Sequence, residues 1–98
     1  MFVIQKTIEF DKWFRKLRDA KARARILLRF QRIEESGNFG DFLNLGDGII
    51  EMKINYGKGY RVYYAIRENR VVLLVFGGDK STQQMDIFKA KKIWKDIK

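Results

Sequence analysis

The segment with the strongest chemical potential is Gly-Tyr-Arg-Val-Tyr-Tyr at residues 59–64. On a β-strand successive side chains face opposite sides of the sheet, so Arg61 and Tyr63 would project together, away from the face that enters the core. A guanidinium stays charged and can bind a phosphate through two parallel N–H groups or stack on a base. The alternative is an ion pair with Glu51 or Asp79 that stabilises the strand, and these residues alone leave both interpretations open.

A glycine-containing loop, Gly-Gly-Asp-Lys-Ser at residues 77–81, precedes a predicted helix. Free backbone N–H groups and the helix dipole favour an anion at such a position, and Lys80 would add a full positive charge. The loop lacks the spacing of a Walker motif, so it is not a P-loop. An ordinary strand-to-helix connection explains the spacing better, and Asp79 would weaken a phosphate site unless another cation pairs with it.

Two further groups of side chains are candidates for contact with a nucleic acid. Arg25, Arg29 and Arg32 recur on one face of the predicted second helix and could guide RNA electrostatically, although a solvated helix face explains them almost as well. Tyr60 and Tyr63 are expected to be half-buried strand residues with polar tips. The large aromatic side chains of the helices sit at helical apolar spacing, so we assign them to the core.

The composition narrows the chemistry further. The 98 residues include 21 Lys and Arg against 12 Asp and Glu, a net charge of +9, which favours a polyanion or an acidic protein as partner. Histidine and cysteine are absent, which excludes an imidazole base, a thiolate nucleophile and a histidine or cysteine metal site. We expect neither a metal nor a cofactor. No apolar run approaches the roughly 18 residues that a membrane span needs, so we expect a cytoplasmic protein.

Capping residues mark the helices that must position these side chains. Thr7 is a candidate N-cap for the first helix, and the second is predicted from about Ala20 to Glu35, with Gly37 as its C-terminal stop. Ser81 and Gln84 match a capping box, which predicts that the third helix starts there. The first two helices are close enough in sequence to form an antiparallel hairpin.

Residues with a period of two mark the strands. A short strand is predicted at Phe2–Ile4, and three more form a meander from Ile49, through residues 60–66, to Val71–Phe76. Residues 38–48 between the helices and this meander read as a glycine-bearing loop. The fold class is therefore α+β, one domain over residues 1–98, with a small mixed sheet, an N-terminal helical hairpin and a C-terminal helix.

Five short motifs follow one another across nearly the whole chain. They are Phe10-x-x-Trp13-Phe14-x-x-Leu17, Gly37-Asn38-Phe39-Gly40-Asp41, Gly46-x-Gly48-x-x-Glu51-Met52-Lys53-Ile54, Gly57-x-Gly59-Tyr60-Arg61-Val62-Tyr63-Tyr64 and Gly77-Gly78-Asp79-Lys80-Ser81-Thr82-Gln83. The ordered set is specific, and on it the chain resembles the RelE/ParE toxin superfamily, in particular its short addiction-module killer-protein branch, which is HigB-like. The resemblance implies a small twisted sheet in the order β-α-α-β-β-β-α, the order read above.

The resemblance also implies a function and partners. Such proteins are toxins of type II toxin–antitoxin modules, and RelE-like members cleave mRNA in the ribosomal A site without a metal. The 2′-OH attacks the adjacent phosphate, leaving a 2′,3′-cyclic phosphate and a 5′-OH product. The antitoxin is typically a helix-turn-helix protein encoded by the adjacent gene, and the complex binds operator DNA. The alternatives are a ParE-like DNA gyrase inhibitor without catalytic activity and an inactive homologue that acts only as antitoxin partner.

The motifs assign roles residue by residue. Arg61 matches the family's strand arginine in its Gly-Tyr-Arg context and is the first choice for stabilising the phosphate. Lys80 occupies the family's basic position after the last strand. Lys53 matches the family's basic strand position only approximately, because better-known members have two lysines there and this chain has one. The tyrosine that some members use near the C-terminus has no match. The candidate substitutes as general base, which are also candidate RNA contacts, are Tyr60, Tyr63 and Lys58.

The charge predicts how an antitoxin would bind. We expect an acidic or amphipathic segment to cover the basic face, near the second helix or the edge of the sheet, and so to block RNA. Such binding would be sensitive to salt.

Overall fold

The computed structural model describes all 98 residues. The elements, in chain order, are β1 (Val3–Lys6), α1 (Ile8–Lys16), α2 (Ala20–Ser36), β2 (Phe42–Asn44), β3 (Ile50–Ile54), β4 (Tyr60–Arg67), β5 (Val71–Gly78) and α3 (Gln83–Ile97), with a 3₁₀ turn at Lys80–Thr82 just before α3. None of the three α-helices has the length and apolar composition needed to cross a membrane.

The five strands form one mixed sheet in the order β1-β5-β4-β3-β2. Strands β2 to β5 form an antiparallel meander. Strand β1 pairs with β5 in parallel, and the connection between these two strands contains both N-terminal helices and the other three strands. Glu68 and Asn69 turn β4 into β5 with φ values of 54° and 56°, the left-handed backbone of a tight hairpin. The α+β class and the mixed sheet are confirmed.

Strand β2 was not predicted, so the sheet has five strands rather than four. Its three residues, Phe42–Asn44, lie within the segment read as loop, and all three side chains are exposed. A strand this short, with neither face buried, carries no alternation of apolar and polar residues from which it could be recognised.

The predicted helix ends are confirmed at the first two helices. The Thr7 hydroxyl accepts a hydrogen bond from the backbone N–H of Phe10 at 2.9 Å, and α2 ends at Gly37 with φ 69°. The predicted start of the third helix at Ser81 is wrong. The Asp79 carboxylate accepts from both the backbone N–H and the hydroxyl of Ser81, which closes a 3₁₀ turn, and α3 begins only at Gln83. A carboxylate is the stronger acceptor, so it takes the capping role.

Both faces of the sheet are covered. The α1–α2 hairpin packs on one face over a core that includes Phe10, Ile26, Phe30, Val62 and Tyr64. On the other face α3 packs against β4 and β5 over a smaller core that includes Ile49, Tyr63, Ala65, Val75 and Trp94. The end of that second face, where β3 ends and β4 begins, lies beyond the start of α3 and carries the polar side chains described next.

Candidate functional site

Four cationic side chains converge at this open end of the sheet. They line a cleft of about 540 Å³, here called the basic cleft, whose side chains are Lys53, Asn55, Tyr56, Lys58, Arg61 and Lys80. No carboxylate lines it. Four positive charges around one concave surface create a potential that attracts a polyanion.

The local fold explains how residues from three segments reach one cleft. Lys53 and Arg61 are register partners across β3 and β4, so their side chains emerge side by side on the same face. The turn between these strands has left-handed backbone at Gly57 and Gly59, which brings Lys58 back toward them. The backbone N–H of Lys80 donates to the carbonyl of Lys58 at 3.3 Å and ties the loop after β5 to this turn.

Arg61 is the most buried of the four cations, with 7% of the residue exposed. One of its terminal nitrogens, Nη1, donates a hydrogen bond to the carbonyl of Gly59. Its Nε lies 3.8 Å from Oε1 of Glu51, close enough for charge attraction but too far for a hydrogen bond, and this Nε has no other partner. The ion pair with Glu51 therefore exists, while Nη2 has no acceptor in the protein and remains available to a ligand.

The sequence predicted no role for Glu51 other than an ion pair with Arg61. It is 1% exposed, and its second carboxylate oxygen accepts from Nε2 of Gln83 at 2.9 Å. The buried carboxylate therefore joins the first residue of α3 to the guanidinium of the cleft. Its position two residues before Lys53, within the motif that contains both, was the sequence signal for this role.

The expectation that Tyr60 and Tyr63 are half-buried is wrong. Tyr63 is fully buried beneath α3, and its hydroxyl has no hydrogen-bond partner. Burial, reinforced by the nearby Glu51 carboxylate, raises the pKa of Tyr63 far above its usual range. Tyr60 is 5% exposed and faces the α1–α2 side, where burial and then Asp19 raise its pKa. Neither hydroxyl lies in the basic cleft, and neither is easily deprotonated, so both are poor candidates for a general base.

The three arginines of α2 line one small cleft but differ in their contacts. Arg29 is half-buried, and its guanidinium donates to the backbone carbonyls of Lys53, Phe39 and Asp41. Desolvation lowers the pKa of Arg29. Both terminal nitrogens of Arg29 are therefore bound within the protein, so this side chain has fewer free donors for RNA than the sequence suggested.

Arg25 and Arg32 are exposed, as predicted. Together with Arg29 they line a smaller cleft of about 250 Å³, here called the Arg25 cleft, which shares Lys53, Asn55 and Tyr56 with the basic cleft. The Arg25 guanidinium lies 4.5 Å from the centroid of the Tyr56 ring, a cation–π contact. Both arginines therefore lie beside the basic cleft.

Tyr56 was missed in the sequence as a candidate residue. It precedes the Gly-Lys-Gly turn, and that position just before a tight turn was the available signal. Its ring lies between the basic cleft and the Arg25 cleft, and it is the tyrosine that lines the basic cleft.

A family model for phage-derived Gp49-like proteins matches residues 12–97. The chain belongs to this family. It is also 44% identical over 94 residues to an uncharacterised protein of Haemophilus influenzae, a match that covers 96% of this chain and 94% of that protein. The family extends over the helical hairpin, the meander and α3, and so includes every residue of the basic cleft.

The fold of this Gp49-like chain is that of the Escherichia coli toxin RelE. A double arginine-to-alanine variant of RelE in its free state superposes with a TM-score of 0.72 at 19% identity, over 93% of this chain and 95% of RelE. The intact E. coli RelBE toxin–antitoxin complex contains a chain that matches with a TM-score of 0.65 at 20% identity, over 81% of this chain and 96% of that one. The fold that the resemblance to the RelE/ParE superfamily implies is confirmed.

Proposed function

We propose that this protein is the toxin of a type II toxin–antitoxin module and that it is a metal-independent endoribonuclease acting on mRNA at the ribosome. The observation that supports the proposal best is the basic cleft, which is lined by four cations and no carboxylate and in which Nη2 of Arg61 has no acceptor from the protein. Its position on the fold of RelE adds to that support. A buried guanidinium with an unpaired terminal nitrogen is suited to a phosphate whose charge grows during reaction.

The proposed reaction is a transfer within the RNA strand. The 2′-oxygen loses its proton to a base and bonds to the adjacent phosphorus, while the bond from phosphorus to the 5′-oxygen breaks and that oxygen takes up a proton. Arg61, Lys80 and Lys53 offset the charge on the pentacoordinate phosphate and hold the strand in line. Of the three bases predicted from the sequence, Lys58 is the one in the cleft, and we assign the proton from the 2′-oxygen to the neutral amine of Lys58.

A cognate antitoxin is part of the same proposal. The related fold of RelE occurs in a toxin–antitoxin complex, and the net charge of +9 suits an acidic partner. Leu28 is exposed on α2 and lines the same cleft as Arg25 and Arg32, a mixture that fits an amphipathic acidic segment. We expect this antitoxin to be the helix-turn-helix protein of the adjacent gene, through which the complex binds operator DNA. Binding should weaken as salt is raised.

Mapping of 5′ ends after expression without antitoxin tests the proposed activity. The proposal predicts transcripts cut within codons and bearing 5′-OH ends. Lys80→Ala should reduce cutting about tenfold, the effect of about 1.4 kcal/mol of lost transition-state stabilisation. Lys92→Ala on α3 is the matched control, because it removes the same charge from an exposed position outside the basic cleft and should leave cutting unchanged.

Two other outcomes would replace the proposal. Broken DNA with intact transcripts would identify a gyrase inhibitor. Normal growth together with tight antitoxin binding would identify an inactive homologue.

A further inference from the structure

A third cleft, here called the corner cleft, lies where α1 ends and α2 begins. It has a volume of about 560 Å³, and the side chains of its lining include Trp13, Lys16, Arg18, Asp19, Lys58 and Tyr60. Tyr60 and Arg61 point to opposite faces of β4, so the corner cleft and the basic cleft lie on either side of the β3–β4 turn. Lys58, at the tip of this turn, lines both clefts.

The lining of the corner cleft differs in chemistry from that of the basic cleft. Lys16, Arg18 and Lys58 supply positive charge, but Asp19 and Asp79 add two carboxylates, and Trp13 adds an aromatic surface. Cations alone would suit a bare phosphate. A nucleotide also has a flat base, which can stack on an indole ring. The base edge and the ribose 2′-OH carry hydrogen-bond donors, which carboxylates can accept.

The two carboxylates are held in place by backbone groups. One oxygen of Asp19 accepts from the backbone N–H of Ala22 at 3.0 Å, and one oxygen of Asp79 accepts from the backbone N–H of Ser81 at 2.8 Å. The bonds from Ser81 also hold the pKa of Asp79 below its usual range, so Asp79 is an ionised acceptor at neutral pH. Both bonds from Ser81 go to Oδ1, which leaves Oδ2 to accept from a donor on a ligand.

We propose that the corner cleft binds the nucleotide next to the phosphate held in the basic cleft, so that single-stranded RNA crosses the β3–β4 turn over Lys58. The inference rests on the proposed endoribonuclease function. Lys16 and Arg18 bind the flanking phosphate, while Trp13 and the carboxylates contact the base and the ribose. The continuity of the two clefts through Lys58 favours this path over the lysine-rich surface of α3, which shares no lining residue with either cleft.

The salt dependence of RNA binding tests this path. The probe is a short single-stranded RNA of mixed sequence, bound to the antitoxin-free protein over a range of salt concentrations, with its integrity checked afterwards. The double variant Lys16→Ala/Arg18→Ala should bind more weakly, and its slope of log K against log salt should be shallower by roughly 0.7, the contribution of the one flanking phosphate contact that is lost. Both side chains are exposed, so the variant should unfold at the wild-type temperature.

The matched control is Lys92→Ala/Lys95→Ala, which removes the same charge from the exposed surface of α3. Its slope should stay at the wild-type value. Equal changes of slope in the two double variants would mean that net charge alone attracts RNA, and an unchanged slope in the Lys16→Ala/Arg18→Ala variant would place the strand elsewhere. Either result overturns the inference.

Chemical acetylation of the unsubstituted protein gives a second readout that depends on no variant. Bound RNA should slow the acetylation of Lys16 and Lys58 but leave that of Lys92 unchanged. If transcripts are cut in cells while Lys16 reacts equally fast with and without RNA, the corner cleft is not the subsite, although the proposed activity stands. If Lys16 is protected but transcripts remain whole, the proposed activity fails and the RNA path stands.

Discussion

Arg29 and Arg61 lie on opposite sides of the sheet, and both approach the chain near Lys53. Arg29 donates to three backbone carbonyls that come from two separate segments, whereas Arg61 has one carbonyl acceptor and a carboxylate 3.8 Å from its Nε. Arg29 therefore connects parts of the fold, and Arg61 retains a terminal nitrogen for a ligand. Burial and charge alone do not distinguish the structural arginine from the ligand-binding one. The number of guanidinium N–H groups that have no acceptor in the protein does distinguish them.

The largest effect on stability should come from Arg29→Ala. The change removes three hydrogen bonds from a charged donor and leaves their carbonyl acceptors to water or unpaired. We expect the free energy of unfolding, measured with urea, to fall by about 3 kcal/mol, given that one hydrogen bond to a charged group contributes ~1.5–3 kcal/mol and partial exposure returns some of the loss.

Arg32→Ala serves as the control for this variant, since Arg32 is exposed on the same helix. Its effect should stay within about 0.5 kcal/mol. Equal destabilisation by the two substitutions would remove the distinction drawn between Arg29 and its neighbours.

A smaller effect of opposite sign is expected for Tyr63→Phe. The hydroxyl of Tyr63 is buried without a hydrogen-bond partner, so removing it relieves a desolvation cost and loses no hydrogen bond. Stability should rise by about 1 kcal/mol, which corresponds to a melting temperature higher by roughly 4–8 °C for a domain of this size. The rate of RNA cleavage should not change. If a folded Tyr63→Phe variant cleaves RNA more slowly, the Tyr63 hydroxyl takes part in the reaction.

The smallest effect concerns the pH dependence contributed by Asp86, which is buried at the start of α3 and accepts from the Thr82 hydroxyl. Burial raises the pKa of Asp86 above its ordinary value of 3.8. Because the folded state then holds the proton more tightly than the unfolded state, Asp86 contributes stability at low pH that is lost as pH rises through the raised pKa.

Asp86→Asn removes this titration. The stability of the variant relative to wild type should therefore increase as the pH of urea unfolding is raised from 3.8 through the raised pKa. A relative stability that falls over the same interval would mean that the carboxylate is stabilised, not penalised, by its surroundings.

Local patterns were sufficient for much of the fold. The Thr7 cap and the Gly37 stop depend on residues close in sequence, and both were predicted. The start of α3 was not, because two neighbouring side chains, Asp79 and Ser81, compete for the same cap and spacing does not decide between them.

The candidate site depends more on distant contacts. The acceptors of Arg29 lie 10 to 24 residues away in sequence, so its structural role has no local signature. The alternation of side chains along β4 shows that Tyr63 points away from the face covered by the helical hairpin. It does not show that α3 covers the opposite face and buries Tyr63 there. By contrast, Arg61 and Lys53 could be paired from the meander alone, since their strands are joined by a short turn.

The central claim is that Arg61 acts on the RNA phosphate and not mainly on the fold. The most direct test is the rate of transcript cleavage by Arg61→Gln, measured together with its thermal unfolding. Glutamine keeps a polar donor near Glu51 but removes the charged fork that faces the basic cleft. We predict cleavage lower by about 10²–10³-fold in a folded protein, the usual loss when one transition-state donor is removed. A folded Arg61→Gln protein that cleaves transcripts at the wild-type rate would contradict the account.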